Sequence, residues 1–395
     1  MPADTTVKIF HNAMPGAPVL SGTAGALIAV LDACLVNGFG TGSVDSLVIS
    51  GGVATVTRAA GHPFEVGSVA LIAGATVSGG SVNGEQRVLS VTGASYTFDA
   101  TGIANQAATG TITHKAAPAG WAKAFSGANL AAYRPTDPAG TRFYLRVDDT
   151  AAQNARVRGF EAMTDVNTGT GPFPTDSLIP GGQWWAKSNS GSASPRNWAV
   201  VCDGRTMYYT AEYNSSYPGS SVPLGMFGDF EPVRAGDAYR CAIAGGVSDR
   251  SGSGPGDQSD TLDWTHGYSS ATTAARRAVG VGGATPMVRA GQTLLQTTSQ
   301  SISSGANYVG HLAFPNYADS GVYVSRMALG DDGANLRGYM RGFRYVPMAA
   351  VHSIGHRVRV PGQSALPGRE LLFMTAGYPT SPRGCYAFDA TGPWA

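Results

Sequence analysis

The groups through which this chain could do chemistry are 7 histidines, 4 cysteines and 26 carboxylates. The closest pair of histidines is His352 and His356. Four residues apart on a helix, two such rings share a face and can hold one metal ion. Here Ser353, Ile354 and Gly355 lie between them and read as loop or strand. In a strand the rings would stand about 13 Å apart, too far for one ion. The cysteines Cys34, Cys202, Cys241 and Cys385 are widely separated and form no CxxC pair, so spacing supplies no zinc site. They read as small buried hydrophobes. Cys202 and Cys241 both fall in apparent strands that could be neighbours, which leaves a disulfide between them open. His62 stands in a loop before a strand and reads as a turn residue.

Carboxylates about 5–10 Å apart in a groove can cleave a glycosidic bond. Asp148-Asp149 and Asp331-Asp332 are adjacent pairs, which a strand would point to opposite faces. Asp229 with Glu231, and Asp260 with Asp263, are the other candidates. Trp184, Trp185, Tyr208, Tyr209, Tyr213 and Tyr217 could stack on sugars, or fill cores and interfaces. A nucleotide-cradling glycine loop, a GxSxG elbow and an HExxH motif are all missing from the sequence. Arg337, Arg341, Arg344, Arg357, Arg359 and Arg369 give the last third a basic bias. Contacts to carboxylates across a subunit interface account for them better than a nucleic-acid patch. No catalytic, cofactor-binding or metal-ligating residue is assigned, and no cofactor is expected.

These residues sit in a chain of 395 with a formal net charge of +1. That balance gives no electrostatic footprint for nucleic acid or an anionic membrane. Charged residues make up 13% of the sequence, against about 25% in ordinary soluble domains. A surface so poor in charge is weakly protected against association, and partners would cover it. The 54 glycines imply many turns and close backbone approaches. The first 20 residues lack a basic region followed by an apolar run, so no secretory signal is expected. The longest apolar stretch, residues 24–36, is too short to span a bilayer.

One helix stands out. Ala24, Leu27, Ile28, Leu31 and Leu35 mark an apolar helical face, with Ser21 or Thr23 as cap and Gly38 as stop. Strand signals dominate elsewhere. Residues 6–10 form a short candidate. Phe143, Leu145 and Val147 alternate within residues 141–148. Residues 198–202 and 206–210 flank Asp203-Gly204 as a hairpin. Further candidates are residues 155–163, 238–244, 323–327, 339–346 and 371–376. Residues 248–260 are a polar, glycine-rich excursion. The pentapeptide Phe-Asp-Ala-Thr-Gly occurs at residues 98–102 and again at 388–392.

Residues 53–113 carry a denser pattern: Gly61-His62-Pro63-Phe64, Val66-Gly67-Ser68-Val69, Asn83-Gly84 and Tyr96-Thr97-Phe98. Val69, Leu71, Val88 and Val91 would fill a small barrel, and Asn83-Gly84 would supply the positive φ of a reversal. This stretch resembles the small β-barrel insert of tailed-bacteriophage structural proteins, except that Ser68 stands where aspartate is common. The resemblance implies assembly and no catalysis.

The expected fold is mainly β with a minor α+β part. An N-terminal α+β domain (residues 1–50 and 115–180) would carry the inserted small β-barrel (51–114), followed by a larger β-sandwich-like region (181–395). The expected role is a non-catalytic virion component, most simply of the tail or baseplate. A capsid decoration or head-fibre protein, and a carbohydrate-binding receptor or depolymerase, are the alternatives. Partners would be copies of itself and other virion proteins, with a host-surface glycan as a further option. Neither nucleic acid nor membrane is expected as a partner. Assembly would take place in the bacterial cytoplasm.

Overall fold

A computed structural model describes residues 3–214, 224–246, 266–267, 272–278, 280, 283–291, 312–313, 315–316, 318–331, 335–346, 348–349, 354–363, 366–378 and 381–394. The excursion at 248–260, Tyr217, Asp260, Asp263, Asp332 and His352 lie outside these residues. The fold is mainly β: among the described residues the strands form a 14-stranded, an eight-stranded, a six-stranded and a two-stranded sheet.

The helix forms where the apolar spacing places it, as α-helix Ala26–Leu31 running into a π-helix over Asp32–Asn37. Its stop is Gly38 (φ 71°), whose N–H bonds Ala33 O at 2.9 Å. Neither Ser21 nor Thr23 caps it. Their hydroxyls bond each other at 2.8 Å, and the cap position is Gly25. The open N–H groups of Leu27 and Ile28 instead meet Asp149 Oδ2 at 2.7 and 3.1 Å. A carboxylate 122 positions away in sequence thus does the work expected of a local hydroxyl.

The eight-stranded sheet curls into a half-barrel and takes in strands from Phe39–Ser43 to Thr113–Ala116, so it reaches past residues 51 and 114 on both sides. Its motif residues sit at its turns. His62 Nε2 donates to the carbonyls of Thr92 (2.9 Å) and Ser95 (3.0 Å), while its Nδ1 accepts the N–H of Phe64. Ser68 Oγ accepts the N–H of Glu65 at 2.9 Å, a contact an aspartate would also make. Asn83 pairs both ways with the backbone of Ala75. Of Asn83 and Gly84, Gly84 alone has positive φ (100°). The filling differs from expectation. Ala70, Ile72, Val88, Tyr96 and Phe98 are buried with Val69, whereas Leu71 is half-buried and Val91 exposed. A bulge between Val88 and Ser90 shifts the register, and Val91 falls at the end of its strand.

The six-stranded sheet runs from Ala122–Gly127 to Gln183–Ala186, with Leu145 and Val147 buried on one face of Tyr144–Asp148. The expected hairpin forms from Asn197–Cys202 and Thr206–Glu212, with Asp203 Oδ1 accepting the N–H groups of Arg205 and Thr206 at 2.8 Å each. It belongs to the 14-stranded sheet, whose edge is the N-terminal strand Lys8–His11.

Strands of this hairpin are buried on both faces. Val200, Cys202, Met207 and Tyr209 pack toward the helix, half-barrel and six-stranded sheet. Val201 and Tyr208 face a second core with Met340, Phe343, Met374, Tyr386, Phe388 and Trp394. Tyr208 lies 4.9 Å from Phe388, ring to ring, although several strands separate them in sheet order. The long sheet therefore folds over and packs against itself, giving a sandwich-like layer without a second sheet. The two Phe-Asp-Ala-Thr-Gly copies make the same turn after a strand. Asp99 Oδ1 accepts the N–H of Thr101 at 2.9 Å, and Asp389 Oδ1 that of Thr391 at 3.0 Å.

Candidate functional site

Most candidate residues are spent on holding the fold. Asp148 and Asp149 do face opposite ways. Asp148 lies 3.7 Å from Arg146 near the surface, while Asp149 is fully buried and paired with the equally buried Lys187. Lys187 Nζ also donates to Thr23 O at 2.9 Å. Burial pushes the Asp149 carboxyl above its ordinary range, against the pull of Lys187 and the helix N–H groups. Asp229 is buried and takes both the N–H and the hydroxyl of Thr141, with Arg240 at 3.5 Å. Glu231 instead ion-pairs with Arg326. These four carboxylates already have partners in the fold.

Cys202 and Cys241 are free thiols, as are Cys34 and Cys385, and all four are buried. The disulfide left open by sequence does not form. Strands Thr206–Glu212 and Leu224–Asp229 lie between the two cysteines in sheet order, which puts them about 14 Å apart. Burial raises the thiol of Cys202 above its ordinary value. His356 bonds Thr375 Oγ1 at 3.2 Å and lies 3.5 Å from Glu212. Burial lowers it to about 4, with Glu212 opposing and Arg357 and His11 assisting. Among the described residues no group of three or more His, Cys, Asp or Glu could hold a metal ion.

The aromatics divide. Trp185 is buried, with its indole N–H on Ala244 O at 2.8 Å and its ring stacked on Tyr209. Tyr208 and Tyr209 spend their hydroxyls on the carbonyls of Arg341 and Ala186. Tyr213 is buried as well. Trp184 is half-buried, and the guanidinium of Arg156 lies 3.4 Å above its ring. None of the other four is a free platform for a sugar.

The C-terminal arginines are not one patch. Arg337 is buried against Asp237 (2.7 Å), and Arg341 against Asp203 (2.8 Å) and the carbonyl of Trp394 (3.0 Å). Arg359 pairs with Glu370 at 2.5 Å. Arg344 and Arg369 turn to a cleft of about 270 Å³, which they share with Arg326, Glu231, Asp389, Met340 and Trp394. Arg326 was not singled out by sequence. Its strand, Ser325–Asp331, pairs with Leu336–Tyr345 so that Arg326 stands opposite Arg344. Strand alternation could have grouped Arg344 with its own neighbours, but only the pairing register brings Arg326 beside it.

No family model matches the chain, and no curated protein matches it.

Proposed function

We propose that this chain is a non-catalytic structural component of a tailed-phage virion, of the tail or baseplate region, acting through contacts with its own copies and other virion proteins. The observation that carries the reading is the half-barrel. The quoted motif residues His62, Ser68 and Asn83 are each used to tie a turn of that one curled sheet, as expected of the insert the sequence resembles. The non-catalytic part is supported by the carboxylates, since Asp149, Asp229 and Glu231 are committed to Lys187, Thr141 and Arg326. The low share of charged residues in the sequence supports assembly.

Mass spectrometry of particles purified from the host, followed by cryo-electron microscopy, tests the reading. The chain should be found in the particle, with density along the tail or its base. Density over the capsomers would transfer it to a decoration role. Absence of the chain from purified particles would remove the virion assignment altogether.

A further inference from the structure

The cleft lined by Arg326, Arg344 and Arg369 holds three guanidiniums and two carboxylates. Arg326 is taken by Glu231 and lies 3.8 Å over the Tyr339 ring. Arg369 reaches Asp389 Oδ2 at 3.4 Å and the carbonyl of Gly392 at 2.5 Å. Arg344 meets no carboxylate at ion-pair distance among the described residues. Its one hydrogen bond there goes to the carbonyl of Phe343 at 3.0 Å. A guanidinium carries five donors and stays charged in proteins. Burial lowers the pKa of Arg344, with Asp389 opposing and Arg326 and Arg369 adding their repulsion. Among the described residues its other donors face the open cleft beside two like charges, where an anion would be held by charge-assisted hydrogen bonds.

We propose that this cleft binds a carboxylated sugar residue, its carboxylate on Arg344. One unmatched positive charge calls for a monoanion. Glu231 and Asp389 would repel the second charge of a phosphate dianion, yet the half-buried Glu231 can accept a sugar hydroxyl on the oxygen that Arg326 leaves open. Leu366, Pro367 and Pro393, which line the cleft and reach its surface, supply an apolar wall for the C–H face of a sugar ring. The site does not depend on where the protein sits in a particle.

Saturation-transfer NMR on the full chain with glucuronate, glucose and inorganic phosphate is the test. Glucuronate should give transfer and glucose none, and phosphate should displace glucuronate only when in large excess. Arg344→Gln should weaken glucuronate binding about tenfold or more, as expected for loss of a charge-assisted pair. Its unfolding midpoint should not fall, because an unpaired charge has gone. Independently of any variant, added NaCl should weaken the glucuronate signal. Equal transfer to glucose, phosphate binding tighter than glucuronate, undiminished binding by Arg344→Gln, or indifference to salt would each overturn the proposal.

Discussion

Asp149 shows how one side chain can serve several elements. It closes the N-terminus of the helix, which follows the N-terminal strand, and holds the ammonium of Lys187 just beyond strand Gln183–Ala186. Removing one partner of a buried pair leaves the other charge stranded, which typically costs about 3–5 kcal/mol. Asp149→Ala should therefore lose that much in urea unfolding, and the loss includes the helix cap. Replacing both as Asp149→Leu with Lys187→Met should lose less than Asp149→Ala alone, since no charge is then left unpaired. A double variant as unstable as the single would show that the cap, and not the stranded ammonium, dominates.

At the scale of elements, the half-barrel carries a pH-sensitive joint. His114 is buried, receives or donates a hydrogen bond with Tyr96 Oη at 3.0 Å, and lies edge-on to Phe64. Burial lowers its pKa to about 4, with Arg58 and His62 adding repulsion. The unfolded value lies near 6.5, so protonation favours the unfolded chain. The stabilisation is complete above about pH 6.5 and lost as pH falls toward 4, amounting to about 3 kcal/mol for this one group. Stability measured across that range should slope downward for the native chain, and His114→Gln should remove that part of the slope. A second element-level dependence lies at Gly342, where φ is 66° and an added Cβ would come within 2.1 Å of the Trp394 ring. Gly342→Ala should destabilise the protein by about 2 kcal/mol or more, through strain and displacement of Trp394. A thermal melt of that variant checks it.

For the whole molecule, the edges of the long sheet matter most. Strand Lys8–His11 covers the Asn197–Cys202 edge and ties it to the half-barrel through Lys8–Glu85 and His11–Glu65, both at 3.0 Å. Arg87 completes the joint by donating to the carbonyl of Asp4. Deleting residues 1–11 should bare an apolar strand edge, a ready template for another chain. Light scattering should then report aggregation at concentrations where the full chain stays in a defined species. The full chain itself should form a discrete oligomer as concentration rises. A strict monomer at high concentration would speak against self-assembly through its low-charge surface.

Local patterns were legible wherever a neighbour in sequence is also a neighbour in space. The apolar face of Leu27, Ile28, Leu31 and Leu35, the alternation of Leu145 and Val147, and the Asp203-Gly204 hairpin all follow from spacing, because helix and strand periods dictate which side chains share a face. The mainly-β class follows for the same reason, as do the turns at His62 and Ser68. Long-range pairing was not legible. Nothing near the helix announces Asp149 as its cap, and nothing in the Cys202 and Cys241 strands says that two others separate them. The grouping of Arg326, Arg344 and Arg369 depends on strand register and on the fold of the long sheet over itself. Register is set by burial summed over a whole sheet and by bulges such as that at Val88, so a single stretch of sequence does not contain it.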